Sequence, residues 1–119
     1  MPARVVLAHA DLTLVEGASG ALAAAGYEVA SFVDPMAALA ALERAEKIEL
    51  LITGVDFGKG KLHGIALANM ARARRPDVRV LFVAQPQFRE YVEIDRSEFL
   101  PHPIPISAVL EAVKGCLPI

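Results

Sequence analysis

The sequence predicts an α/β fold, a doubly wound five-stranded parallel sheet with helices on both faces. Short, continuously apolar runs alternate with helically spaced segments along the 119 residues. Such runs are typical of strands buried on both faces, and strands that alternate with helices indicate a parallel sheet. Right-handed crossovers then place helices in layers above and below the sheet. Because no internal repeat, linker or low-complexity segment interrupts the pattern, we expect one domain over residues 1–119.

The first strand and the first helix have clear signals. Arg4–Ala8 is the first apolar run, and helical spacing follows over residues 12–25. Gly26 stands where a helix ends most easily, because glycine adopts the left-handed conformation of residue C′. The sequence therefore predicts a strand and then a helix that ends at Gly26.

The next strand, helix and strand follow the same order. Tyr27–Phe32 has extended character. Asp34 and Pro35 then supply an N-cap and a first-turn proline for a helix over residues 36–45. Ile48–Thr53 is the third predicted strand.

The second half begins with a glycine-rich loop and ends with a helix. After residues 54–63, a helix is expected over 64–75 and a fourth strand over Val78–Ala84. Residues 85–97 are polar and poorly periodic, so we expect at most one short helix there, or disorder. A short strand, Glu98–Leu100, and a helix over residues 106–117 complete the chain.

Composition excludes several classes of function. Twelve Lys+Arg against fourteen Asp+Glu leave a formal charge of −2, so neither a nucleic acid nor a membrane is expected as a partner. The single cysteine, Cys116, suits a reducing compartment. With no secretory signal and no apolar run long enough to span a bilayer, we expect a cytoplasmic domain.

Function is expected where the carboxyl ends of the strands meet, at one edge of the sheet. The residues that follow the strands there are His9-Ala10-Asp11, Gly54-Val55-Asp56, Ala84-Gln85 and Pro101-His102-Pro103. A glycine, Gly54, stands at the end of the third strand, and an aspartate, Asp56, follows two residues later.

Five segments together resemble the receiver domains of two-component response regulators, the CheY-like family, and in particular the receivers of hybrid sensor kinases. They cover essentially the whole chain: 4–11, 49–55, 64–68, 78–84 and 99–103. The resemblance implies a flavodoxin/CheY-like fold with strand order 2-1-3-4-5. It also implies a fourth helix, here shortened by about one turn, and a cis peptide bond before Pro103.

Receivers transfer a phosphoryl group from a phosphohistidine to their own aspartate. This chemistry needs an acceptor carboxylate, Mg²⁺ held by further carboxylates, a hydroxyl and a lysine, because the incoming group is dianionic. The chain departs from the family at each of these roles. It has Gly54 at the acceptor position, His9 and Ala10 at the acidic pair beside a remaining Asp11, Ala84 at the hydroxyl and His102 at the lysine.

We therefore interpret the chain as a pseudo-receiver, a protein-interaction module rather than an enzyme. No cofactor is expected, and Mg²⁺ binding should be weak or absent, because imidazole and methyl groups do not suit this hard cation. The expected partner is a sensor kinase, a phosphotransfer protein, another receiver or a second copy of the chain. Phe99 matches the family's switch aromatic, and with Ala84 beside it we expect one packed state.

Two alternatives stay open at this point. Asp56 lies two residues after Gly54 and would serve as the acceptor of an active receiver, with Asp11 as a metal ligand. The histidines His9, His63 and His102 would otherwise serve a sensor of a small ligand or of a transition metal that accepts nitrogen ligands.

Overall fold

The structure is a computed structural model, and it describes residues 4–44 and 47–118. The strands are β1 (Val5–Ala8), β2 (Val29–Phe32), β3 (Leu50–Thr53), β4 (Arg79–Ala84) and β5 (Ser97–Pro101). The α-helices are α1 (Leu12–Ala24), α2 (Pro35–Arg44), α3 (Gly64–Arg74) and α4 (Ile106–Cys116). Ala45, the expected last residue of the second helix, lies outside the described residues.

The five strands form one parallel sheet in the order β2-β1-β3-β4-β5. Helices flank it on both sides, so the predicted fold class and strand order are confirmed. The segment between β4 and β5 forms a 3₁₀ helix, Pro86–Tyr91, which confirms the predicted short helix. The His102–Pro103 peptide bond is cis, as predicted.

Sequence signals explain how the helices begin and end. Asp11 caps α1 with its carboxylate, and Asp34 does the same for α2 by accepting from the Met36 backbone N–H (3.4 Å). Gly26 follows α1 with φ of 102°, a left-handed conformation that favours glycine. The caps formed by Asp11 and Asp34 therefore define the turns that follow β1 and β2.

Two hydrophobic cores lie on opposite faces of the sheet. Val5 and Leu7 of β1 point to the core under α1 and α4, whereas Val6 and Ala8 point to the core under α2 and α3. All four residues of β1 are buried, and so are all four of β3, as expected of central strands covered on both faces. Across the described ranges, no helix combines the length and the apolar character needed to cross a membrane.

Gly64 brings the start of α3 against the end of β3. Its backbone N–H donates to the Val55 carbonyl (2.8 Å). A Cβ at this position would lie 1.7 Å from the carbonyl oxygen of Gly54. Only glycine therefore permits this close approach, which fixes the loop after β3 beneath the candidate site.

Candidate functional site

A cavity of about 320 Å³ opens at the carboxyl ends of β1, β3 and β4. It brings together most of the residues singled out from the sequence. Its lining consists of His9, Ala10, Asp11, Val55, Asp56, Val83, Ala84, Gln85, Phe88 and His102. This position agrees with the rule that parallel sheets carry their sites at the strand ends.

Gly54 lies under the ring of His9. The Gly54 backbone N–H donates to the Ala8 carbonyl (2.9 Å), which extends the parallel register of β1 and β3 by one residue. A Cβ on Gly54 would lie 2.9 Å from His9 Cδ2 and 3.2 Å from His9 Nε2. The imidazole of His9 therefore occupies the space into which a side chain at position 54 would project.

Two backbone groups hold the His9 ring in place. Its Nδ1 accepts from the Asp11 N–H (3.1 Å), so Nε2 carries the proton and donates to the Val83 carbonyl (2.8 Å). The residue is only 8% exposed, and burial lowers the pKa of His9. The ring is thus neutral and links the end of β1 to the end of β4.

Asp11 joins the site to the first helix. Its Oδ1 accepts from the backbone N–H groups of Thr13 (3.0 Å) and Leu14 (3.3 Å). Its Oδ2 lies 3.1 Å from His102 Nε2. The bond from Leu14 is the largest cause that holds the pKa of Asp11 below its ordinary value, and the His102 bond lowers it further. The carboxylate therefore stays ionised while it serves as a helix cap.

His102 reaches the cavity from the end of β5. Its backbone N–H donates to the Ala84 carbonyl (2.7 Å), so the β4–β5 pairing continues to this residue. Its ring centroid lies 5.1 Å from that of His9. The structure thus brings His9, Asp11 and His102 together. His9 follows β1, Asp11 caps α1, and His102 follows β5.

Asp56 lines the same cavity but from an exposed turn. Its Oδ1 accepts from the Gly58 backbone N–H (2.9 Å), and Gly58 has φ of 107°. Aspartate commonly stabilises a turn in this way by bonding to the backbone two residues ahead. Asp56 is therefore held at the mouth of the cavity, not on the strand end where Gly54 lies.

The family's Mg²⁺ does not fit the donors that are present. Mg²⁺ is held through carboxylates in near-octahedral geometry. Among the described residues of the lining there are two carboxylates: Asp11, whose two oxygens already accept hydrogen bonds, and Asp56, which is tied to the exposed turn through Gly58. The neighbouring ring of His9 has both nitrogens engaged.

His63, the third histidine of the proposed sensor, lies at the N-cap of α3 and does not line the cavity. Its Nδ1 accepts from the Ile65 N–H (3.4 Å), and its ring meets that of Phe88 edge-on at 6.4 Å. Within residues 4–44 and 47–118, no group of three His, Cys, Asp or Glu side chains is arranged to hold a metal ion.

Phe99 is half-buried and packs on the core that underlies α2 and α3, outside the cavity. The guanidinium carbon of Arg89 lies 4.9 Å from the centre of its ring. Sequence reasoning missed this contact, the close approach of Gly64 and the contact of His9 with Gly54. The parallel register pairs Ala8 with Thr53 and thereby makes His9 and Gly54 neighbours, but no local pattern in the sequence shows this pairing.

Known structures resemble the chain over nearly its whole length. The receiver domain of the hybrid histidine kinase CckA is 30% identical, with a TM-score of 0.79 over 96% of this chain and 98% of that one. A response regulator receiver protein from Sinorhizobium medicae superposes with a TM-score of 0.84 at 20% identity, over 95% of this chain and 92% of that one.

The chemotaxis protein CheY4 from Vibrio cholerae is 20% identical, with a TM-score of 0.83 over 98% of this chain and 100% of that one. At this identity CheY4 and the Sinorhizobium protein support the fold, whereas the 30% identity to the CckA receiver also supports common family membership. No protein-family model and no curated protein sequence matches the chain.

Proposed function

The chain belongs to the CheY-like receiver domains of response regulators, and from this membership we propose that it is a receiver that binds partners without being phosphorylated. Its role would be that of a protein-interaction module in two-component signalling. A retained receiver shape with altered strand ends supports this reading, because shape determines docking whereas the strand ends carry the chemistry.

The observation that carries the proposal is the position of the His9 ring over Gly54. Glycine has no side chain to accept a phosphoryl group. The space above it is filled by an imidazole that both Val83 and Asp11 hold through hydrogen bonds. An incoming phosphoryl group would therefore meet a buried neutral ring instead of a carboxylate.

The remaining positions support the same conclusion. Ala84 brings a methyl group where receivers carry a hydroxyl, and His102 engages Asp11 instead of offering a permanent positive charge. Charge stabilisation is usually the largest contribution to phosphoryl transfer. A site that lacks the acceptor at position 54, the hydroxyl and the lysine together lacks three of the four groups that this reaction requires.

We propose a protein as the partner: a sensor kinase, a phosphotransfer protein, another receiver or a second copy of this chain. The chain itself would have no enzymatic activity. Cytoplasmic location, which suits such partners, is part of the proposal.

Phosphorylation can be tested directly. The protein is incubated with acetyl phosphate and Mg²⁺ and analysed by intact mass, and with beryllofluoride and Mg²⁺ and analysed by amide NMR shifts. An active receiver with its acceptor aspartate serves as positive control. We expect no added mass and no shifts around the cavity. A stoichiometric gain of one phosphoryl group would overturn the proposal.

The second candidate is an active receiver that uses Asp56, and one observation favours it: Asp56 lines the same cavity as Asp11. In this case the gain in mass would disappear in Asp56→Asn and persist in Glu93→Gln, an exposed carboxylate outside the cavity.

For the sensor alternative, zinc titration by calorimetry is the test, and saturable binding lost in His102→Gln would support it.

A further inference from the structure

The two lateral edges of the sheet, along its outer strands β2 and β5, are closed to different degrees. Each outer strand has a neighbouring strand on one side alone. On its other side a strand presents backbone N–H and C=O groups with which a further strand can pair. Proteins commonly close such edges with proline, with charged side chains or with a covering segment.

The edge along β5 is closed. The His102 N–H donates to the Ala84 carbonyl, so the even-numbered residues of β5 pair with β4 and the odd-numbered ones direct their backbone groups outward. Pro101 is one of these outward residues, and proline has no N–H to donate. Arg89, from the 3₁₀ helix that packs beside this strand, lies over the ring of Phe99. A further strand therefore cannot pair along β5 without displacing these groups.

The edge along β2, here called the β2 edge, is open. The Phe32 carbonyl accepts from the His9 N–H (3.1 Å), so the even-numbered residues of β2 pair with β1. Because backbone groups alternate between the two sides of a strand, the N–H and C=O groups of Val29, Ser31 and Val33 point away from β1. The four residues of β2 include neither proline nor a charged side chain. The β2 edge thus lacks the features that close β5.

The helix beside the β2 edge leaves room for another chain. The buried residues of α2 face the sheet, and Leu39 and Glu43 face α3. Helical spacing therefore turns Ala37 and Ala41 toward the β2 side, where their short side chains permit a close approach. Val33, directly after the strand, is a large apolar residue that is 48% exposed. A second strand at this edge would cover it in part.

We propose that the β2 edge is an interface between two copies of this chain, in which their β2 strands pair antiparallel and join the two sheets into one. A strand edge is self-complementary about a two-fold axis, because each outward N–H meets an outward C=O of the second copy and the reverse. The inference goes beyond the proposed function and does not depend on it, since the β2 edge lies apart from the cavity at the strand ends.

Charges select the register of this pairing. With Ser31 opposite Ser31 of the second copy, Glu28 would come opposite Asp34, and like charges directly opposite each other are destabilising. With Ala30 opposite Ala30 of the second copy, the two acidic residues are no longer opposed. Val29 then exchanges both of its outward hydrogen bonds with Ser31 of the second copy. The two-fold axis repeats this pair, so the second register is the one we expect.

Hydrogen exchange of single amides tests the interface in the unmodified chain. The Val29 and Ser31 amides should exchange about tenfold more slowly at about 1 mM than at about 50 μM, once nine tenths of the chains are paired, because only the dimer covers them. The Ala30 and Phe32 amides face β1 and should be slow at both concentrations. Light scattering should show the mass rise from 12.7 kDa toward twice that value over the same range.

Three variants separate pairing from folding. Ser31→Pro removes an outward N–H without removing a bond to β1, so the protein should stay folded by circular dichroism and be a monomer at about 1 mM. Ser31→Ala keeps the N–H and should dimerise as the wild type does. Val33→Lys places a charge beside the edge and should weaken the dimer about fivefold. It keeps the test intact if Ser31→Pro does not fold.

Several outcomes would overturn the inference. A mass of one chain at every concentration, with exchange at Val29 and Ser31 independent of concentration, would exclude the interface. A dimer that persists in both Ser31→Pro and Val33→Lys would assign association to another surface. Slow exchange of the Val29 and Ser31 amides in a monomer would mean that the chain itself covers the β2 edge.

Failure of this inference is distinguishable from failure of the proposed function. Dimerisation is measured without any phosphoryl donor, so a monomer that gains no mass from acetyl phosphate shows that only the inference is wrong. A dimer that acetyl phosphate labels shows that only the proposed function is wrong.

Discussion

The interior of the sheet and the ends of its strands differ in what their residues do. In β1 and β3, apolar residues pair in parallel register and are completely covered by helices on both faces. One residue beyond the paired segments, His9 and Gly54 meet at the edge of a polar cavity. The interior has the family's fold, whereas the strand ends carry residues other than those that the family's chemistry uses, which is the basis of the proposed function.

The difference shows that the strand ends have contacts of their own. The His9 ring occupies the space over Gly54 and has both nitrogens hydrogen-bonded, and His102 pairs with Asp11, while a cavity of about 320 Å³ remains beside them. The residues at the carboxyl ends of the strands therefore contact and hydrogen-bond one another.

The largest effect is expected at Gly64, which brings the start of α3 against the end of β3. In Gly64→Ala, the new Cβ would lie 1.7 Å from the Gly54 carbonyl oxygen, so the backbone must move. We expect a loss of more than about 3 kcal/mol in the free energy of unfolding, the range of severe backbone and packing changes. Urea unfolding followed by circular dichroism measures it.

Gly20→Ala is the matched control. Gly20 lies within α1, and a Cβ there meets nothing within 4 Å. This variant should be more stable by about 0.5–1 kcal/mol, because alanine favours a helix over glycine. A Gly64→Ala protein as stable as the wild type would contradict the close approach of α3 to β3.

The fit between His9 and Gly54 predicts a strong coupling. Gly54→Ala should destabilise the protein by about 1–3 kcal/mol, because the added methyl group displaces a buried ring from its two hydrogen bonds. In a His9→Ala background the same substitution should be nearly neutral, which gives a coupling of about 1–3 kcal/mol in a double-mutant cycle. Additive effects would mean that the two residues contribute independently to the free energy of unfolding, without the predicted contact.

Most of the fold could be predicted from the sequence, because its signals are local. Continuous apolar runs located the five strands, and Asp34-Pro35 located the start of α2. The ends of elements shifted by one to two residues: β1 begins at Val5 and not at Arg4, since strand assignment depends on pairing and not on composition. The strand order came from the family resemblance, because local patterns do not determine which strands pair.

The site was predictable only in part. The residues at the strand ends could be named, since topology brings those ends together. Which side chain would fill the space over Gly54 depends on the rotamer of His9 and on the Val83 carbonyl, 74 residues away. Such a contact has no local pattern in the sequence, so reasoning from the sequence found the residues but not the arrangement.

The free energy of unfolding at acidic pH should depend on His9. Burial lowers the pKa of His9, so the native state binds a proton there less readily than the unfolded chain does. The resulting stability is complete above the unfolded pKa of about 6.5 and decreases as the pH falls below that value. The lowered pKa of Asp11 acts in a separate window, below the ordinary carboxyl value of about 3.9.

Urea unfolding between about pH 8 and pH 5 measures this dependence. The wild type should lose stability over the range, and His9→Gln, which does not titrate, should lose less. His63→Gln is the control, because His63 lies at the exposed cap of α3 outside the cavity. If wild type and His9→Gln showed the same slope, the buried neutral ring would not be the cause.

The smallest effect is expected at Phe99, which packs on the core under α2 and α3 outside the cavity. In receivers this aromatic changes state with the hydroxyl after strand four, but here Ala84 offers no hydroxyl and Arg89 lies over the ring. Arg89→Gln should reduce stability by only about 0.5–1 kcal/mol, the size of an exposed cation–π contact. The rotamer of Phe99 is the more informative measurement. NMR coupling constants should show a single rotamer of the Phe99 side chain in the wild type. A mixture of two well-populated rotamers in the wild type would mean that Phe99 still changes state as the family's switch aromatic does, without a hydroxyl at position 84.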